Sequence, residues 1–348
     1  MNPKEIHPEL RLTGRILMRM PDRWNLAKMG TASEKVLKGK WFSPVSHMHE
    51  EYISRDDGTQ LRLCIAAKKN GKTDDLTGIL WIHGGGFAVG MPEQDASFAD
   101  VFLSTDQALV IMPQYRKSYE APYPAALTDC YLALLWMAAN AEKLGIRQDQ
   151  IFVGGNSAGG NLAAALCLLA RDRKEVNVAF QMPLYPMLDD RDTETSADND
   201  APVWNTEKNH AAWAMYKGDR TDVPAYCAPA RAADLSGLPP AFTYVGDIEP
   251  FYAETLAYCR RLYEADVPVM YRVFPGCFHG FDITVPHASC AKKARKLLKE
   301  AFLYARQNYR AAQEPGKPDG MALLKSLIDA SVRDELAALD HLLEHLDR

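Results

Sequence analysis

Two short strings carry the chemistry legible in this chain: Gly155-Asn156-Ser157-Ala158-Gly159 and His83-Gly84-Gly85-Gly86. A serine hydroxyl is a candidate nucleophile when a tight turn exposes it and a base takes its proton. Glycines at 155 and 159 suit such a turn, because a Cβ at either place would crowd neighbouring backbone and the turn demands unusual φ/ψ. Attack by a serine on a carbonyl puts a full negative charge on the carbonyl oxygen. The three-glycine loop can receive that charge. Its bare backbone comes close and aims successive N–H groups at one point, each preorganised donor being worth on the order of 3–4 kcal/mol. Gly84 and Gly85 are the expected donors, joined by Ala158, the residue directly after the nucleophile. His83 is read as a structural residue that holds the loop by hydrogen bonds. No P-loop lysine pattern follows the glycines and no dinucleotide fingerprint fits, so nucleotide binding is set aside.

A base must follow. His279 lies in Pro275-Gly276-Cys277-Phe278-His279-Gly280-Phe281, directly after the strand-like run 269–274. A glycine-flanked loop at a strand end lets a general base reach toward a nucleophile. His210 falls in a helical segment and His287 opens one, which suits surface or capping roles, and His341 and His345 lie in the C-terminal tail. The base needs a carboxylate to accept its Nδ1–H and stabilise the imidazolium. Behind the strand-like run 241–245, the loop Gly246-Asp247-Ile248-Glu249-Pro250 offers two, Asp247 and Glu249, and local sequence leaves them nearly equal. The one not used has the alternative role of a turn residue bonding its own backbone, to which Asp is well suited.

These groups need a rigid frame. Residues 150–154 are an apolar run rich in β-formers, and 161–170 are dense in helix formers. Ser157 therefore lies between a strand and a helix, near a helix N-terminus whose dipole favours developing negative charge. Residues 78–83 predict a second buried strand ending in the glycine loop. Strand-like and helical runs alternate from about residue 50 to 308, which argues an α/β fold with a mostly parallel sheet covered on both faces. Two segments fall outside the alternation. Residues 1–40 carry Leu10, Leu12, Ile16, Leu17 and Met20 loosely on one helical face, and 188–235 open on the polar Asp189-Asp190-Arg191-Asp192. In the second, Trp204 and the i, i+3 pair Trp213 and Tyr216 are candidates for an acyl or alcohol pocket, or for packing the segment on the core. Phe87, after the glycines, is a further pocket candidate.

Tyr115-Arg116, Ala121-Pro122-Tyr123-Pro124-Ala125-Ala126, Asp129 and the string GNSAGGNLA from Gly155 complete a wider pattern. Over residues 41–308 it resembles the hormone-sensitive lipase family of α/β-hydrolases, in its bacterial esterase branch. The resemblance implies an α/β-hydrolase fold in which the outlying segments form a helical cap. It also implies hydrolysis of short-chain carboxylic esters through an acyl-serine, without a cofactor. The family's acid usually opens an Asp-Pro pair. The matching pair here is Glu249-Pro250, so the resemblance places the acid on Glu249, with Asp247 as the alternative. The family usually has Asp or Thr where Asn156 stands, and little consequence is expected because that side chain is not a triad member. The implied organisation is an N-terminal cap segment (1–45) and a hydrolase core (46–311) with a cap insertion at about 188–235. A linker and a C-terminal amphipathic helix follow (312–348). The same machinery serves amidases and aryl-formamidases when the leaving nitrogen can be protonated. The fold also serves non-catalytic ligand receptors, which commonly lose the base or the acid; this chain keeps candidates for both.

The chain's 348 residues, 47% of them hydrophobic, suffice for one large core. A net charge of −5 gives no basic surface, so a nucleic-acid partner is not expected. Met1-Asn2-Pro3-Lys4-Glu5-Ile6-His7 lacks the order of a signal peptide, and no apolar run reaches the length of a membrane span. Seven scattered cysteines without C-x-x-C suit a reducing compartment, and a cytoplasmic location is expected. Nothing in the His/Cys spacing suggests zinc, and the expected partner is a small-molecule ester. After a turn-rich linker, residues 321–347 predict a helix in which Val332, Leu336, Leu339, Leu343 and Leu346 keep a heptad-like spacing. That helix is a candidate dimerisation element, giving a homo-oligomer, unless it folds back on its own body.

Overall fold

The apolar runs 76–82, 108–113, 150–156, 180–184 and 241–246 are buried at every residue. Strands covered on both faces read this way because neither side of the pleat meets water. The computed structural model describes residues 2–19 and 26–313. These runs form the centre of an eight-stranded sheet: β1 Ser46–Ser54, β2 Gln60–Lys68, β3 Leu76–Ile82, β4 Ala108–Pro113, β5 Ile146–Asn156, β6 Phe180–Leu184, β7 Ala241–Gly246 and β8 Val269–Phe274. Their spatial order is β1-β2-β4-β3-β5-β6-β7-β8. β3 to β8 run parallel, whereas β2 is antiparallel to both β1 and β4. The alternation expected from residue 50 therefore begins later: β1 and β2 are joined directly as a hairpin, with no helix between them.

The described helices are α1 Arg11–Leu17, α2 Leu26–Leu37, α3 Ala96–Leu103, α4 Ala125–Ala139, α5 Ala158–Arg173, α6 Thr206–Lys217, α7 Tyr252–Glu264, α8 Phe281–Thr284 and α9 Ser289–Asn308. Alternate residues of β3 feed two cores. Leu80 and Ile82 join α4, α5 and α7 on one face, while Ile79 and Trp81 meet Phe98, Phe102 and Phe302 of α3 and α9 on the other. The chain leaves β3 to one side for β4 and returns to the other for β5. The carboxyl ends of β3 and β5 thus flank a topological switch point, where open α/β sheets form their clefts.

The expected single face of the N-terminal helix is not what forms. Leu10 is buried, but Leu12 and Ile16 are 73% and 58% exposed. At 3.6 residues per turn, Leu10, Gly14 and Leu17 share one side, and Leu12 and Ile16 share the other. Gly14 is buried there, and a Cβ on it would meet Ile6 and Phe278. Among the described residues no helix is long and apolar enough to cross a membrane. The predicted C-terminal helix, with the oligomerisation assigned to it, lies outside the described residues.

Candidate active site

β5 ends at Asn156 and α5 begins at Ala158, leaving Ser157 alone on the turn with φ 58° and ψ −121°. A non-glycine residue rarely holds this conformation, and surrounding bonds must impose it. Ser157 N–H donates to the Leu184 carbonyl at 2.9 Å, and its own carbonyl accepts from Asn161 and Met187 at 3.0 and 3.1 Å. The flanking glycines serve as expected by the space they leave. A Cβ at 159 would lie 2.0 Å from the Ile82 carbonyl oxygen, and one at 155 would lie 2.4 Å from that of Gly159. The unusual torsion, however, sits on the serine itself and not on these glycines.

The structure brings three sequence candidates together. His279 Nε2 lies 2.8 Å from Ser157 Oγ, and His279 Nδ1 is in a short contact with Glu249 Oε2. Glu249 is fully buried, and its other oxygen accepts from the Gly246 N–H at 2.8 Å. Burial pushes its carboxyl above the usual range, while the imidazole and the Gly246 N–H pull it back toward ionisation. Asp247 does not meet the histidine: its Oδ1 accepts from the Gly276 N–H at 2.6 Å, pinning the loop that carries His279. The imidazole is held by aromatic edges, with Phe251 and Tyr185 ring centroids at 4.9 and 5.0 Å. Neither ring was legible as a site residue. Phe251 follows the Glu249-Pro250 pair directly, whereas Tyr185 gives no local signal.

Ser157, His279, Gly84 and Gly85 open on one cavity of about 360 Å³, which Leu17, Leu26, Met29, Val203, Trp204 and Ile283 make largely apolar. Gly86 does not line it, and a Cβ there would meet Trp204 and Ala212. Of the four aromatic pocket candidates, Trp204 reaches the cavity. Phe87, Trp213 and Tyr216 do not line it: Phe87 stacks on Tyr216 at 3.8 Å and tilts against Trp213 at 5.6 Å. Their spacing on α6 is right for a shared face, but that face packs the helix on the glycine loop. The apolar wall from α1 and α2 was not assigned to the pocket from sequence.

Asn156 is more than the neutral replacement expected. Its Nδ2 donates to Asp95 Oδ2 at 2.7 Å, and Trp81 Nε1 donates to the same oxygen at 2.8 Å. A Cβ on Gly84 would lie 2.2 Å from Asn156 Oδ1, so the nucleophile turn and the glycine loop touch through this amide. Asp95 is fully buried, and burial raises its pKa to about 7 against the two donors. For a carboxyl raised in the folded state, the contribution to stability is fully present below about pH 4 and is lost as pH rises through 7. Asp95→Asn keeps an acceptor for both donors and removes the titration. Its melting temperature should gain on the wild type between pH 4 and 7 and hold that lead above, a difference on the order of 4 kcal/mol at full shift. Melts at pH 4.5, 6 and 8 check this; a gap independent of pH would contradict it.

A family model of the alpha/beta hydrolase fold matches residues 79–283. The chain belongs to the α/β-hydrolase family. Within it, the chain is 35% identical over 226 residues to the carboxylesterase NlhH of Mycobacterium tuberculosis, covering 62% of this chain and 70% of that protein. It is 32% identical over 208 residues to an arylesterase of Saccharolobus solfataricus, covering 58% and 67%. Among solved structures, a bacterial heroin esterase superposes with a TM-score of 0.77 at 31% identity, over 88% of this chain and 99% of that one. These α/β-hydrolase relatives extend the resemblance beyond the motifs to most of the described fold.

Proposed function

We propose that this chain is a serine carboxylesterase that hydrolyses short-chain carboxylic esters through an acyl-serine intermediate. The reading is carried by the continuous relay from Glu249 through His279 to Ser157, with 2.8 Å between imidazole and hydroxyl. The names of its relatives, a carboxylesterase, an arylesterase and a heroin esterase, support ester over amide. His279 Nε2 takes the Ser157 proton as Oγ adds to the ester carbonyl. The N–H groups of Gly84, Gly85 and Ala158 receive the oxyanion. As the tetrahedral intermediate collapses, the C–O bond to the alcohol breaks and His279 returns the proton to the departing oxygen. Water then attacks the acyl-serine with His279 again as base, releasing the acid and restoring Ser157. Glu249 accepts the Nδ1–H and holds the imidazole in the tautomer that presents Nε2 to the serine. The seven cysteines, all buried free thiols, support a cytoplasmic setting.

Trp204 and the α1–α2 wall give the cavity beside Ser157 an apolar lining for the acyl group, and the short-chain preference follows the family resemblance. On p-nitrophenyl esters from acetate to laurate, kcat/KM should peak among the short chains and fall at least about tenfold by laurate. A maximum at laurate would overturn the short-chain preference, and no turnover of any ester by folded protein would overturn the esterase reading.

A further inference from the structure

Of the buried cations outside the relay, Lys117 meets the histidine of the glycine loop. Lys117 follows β4 and is 6% exposed, yet its Nζ lies 3.2 Å from His83 Nε2 and donates to the Tyr115 carbonyl at 3.0 Å. We infer that Lys117 is a positioning residue for the oxyanion loop: its ammonium sets the tautomer of His83, and His83 in turn orients the peptide between Gly84 and Gly85. The inference rests on the esterase reading above.

Two contacts select the same proton arrangement. His83 Nδ1 lies 2.8 Å from the Gly84 carbonyl oxygen, which only accepts, so Nδ1 carries the hydrogen. An ammonium only donates, so Nε2 must offer its lone pair to Lys117. The ring is thereby a neutral Nδ1–H imidazole. Burial and the Lys117 charge both hold it well below the usual histidine range, which disfavours the imidazolium. Tyr115 packs against the ring, stacked at 4.3 Å, and its hydroxyl donates to the His83 carbonyl at 2.9 Å while lying 3.4 Å from Nδ1. A trans peptide sets C=O and N–H on opposite sides. Holding the Gly84 oxygen against His83 therefore fixes the direction of the Gly85 N–H, and Gly85 lines the Ser157 cavity.

The amine is sustained by its own surroundings. Lys117 sits at the wall of a polar cavity of about 210 Å³ that also receives Glu34, Arg62, Arg116 and Glu120. Burial lowers its pKa to about 8 while Glu120 and Glu34 oppose the fall, so the ammonium persists at neutral pH. Without it, His83 Nε2 can take the hydrogen. Nδ1 would then face the Gly84 carbonyl lone pair to lone pair, and the peptide would lose the nearer of its two side-chain donors, keeping only Gln94 Nε2 at 3.4 Å.

The first test needs no turnover. Nitrogen NMR of wild-type protein carrying ¹⁵N-histidine, with His83 assigned by the signal lost in His83→Gln, should show the neutral Nδ1–H tautomer from pH 6 to 7. An Nε2–H tautomer or an imidazolium there overturns the inference, whether or not the enzyme cleaves esters. In Lys117→Met the His83 signal should shift toward Nε2–H and kcat should fall about 10- to 100-fold, with KM within about twofold. Inhibition by a trifluoromethyl ketone should weaken by the same factor, and Lys117→Arg should recover part of the loss. A kcat within about twofold of wild type, or a loss of kcat with the His83 tautomer unchanged, overturns the positioning role.

Discussion

Replacing Ser157 by alanine is expected to lower kcat on p-nitrophenyl butyrate by about a millionfold, with the melting temperature nearly unchanged. The first half follows from the relay. Without Oγ, His279 Nε2 has no hydroxyl to deprotonate, and the remaining oxyanion donors can only assist direct attack by water. The second half follows from how the turn is held. The bonds that impose φ 58° on residue 157 are all made by backbone groups, to Leu184, Asn161 and Met187, and alanine keeps every one. Kinetics and a thermal melt on the same preparation check both halves. Residual activity within about a hundredfold of wild type would place the nucleophile elsewhere.

The second large effect separates two carboxylates that stand two residues apart. Glu249→Ala should cost about 10⁴-fold in kcat, because the imidazole loses the partner that sets its tautomer and stabilises its charged form. Asp247→Ala should cost less than about tenfold in kcat and show mainly as lost stability, on the order of 1–3 kcal/mol, since the Gly276 N–H loses its acceptor. The reverse ranking in side-by-side kinetics and melts would move the acid to Asp247.

Much of this site was legible because it depends on local chain geometry. The serine turn needs a strand before it, a helix after it and glycines where backbone crowds, and all three leave marks within 20 residues. The predicted strand 269–274 is β8, and the loop after it carries His279 as the glycines imply. The acid was harder. Both carboxylates of the 246–250 loop suit the role by type, and only the loop's path decides that Glu249 turns inward while Asp247 braces the backbone. The parts that were not legible are long-range. Asp95 meets Asn156 across 61 residues and Lys117 meets His83 across 34, and neither pairing has a local signature. Trp213 and Tyr216 have the spacing of one helical face, but spacing does not say what that face meets. It meets Phe87, and the cavity beside Ser157 takes its wall from α1 and α2 instead.

The decisive measurement is the mass of the protein caught during turnover. Wild-type enzyme mixed with excess p-nitrophenyl butyrate and quenched in acid within milliseconds should carry one butyryl group, mapped by peptide sequencing to Ser157 and absent from Ser157→Ala. Steady ester hydrolysis with Ser157 unacylated at every quench time, and with butyrate accumulating in Ser157→Ala at the wild-type rate, would contradict a covalent serine route.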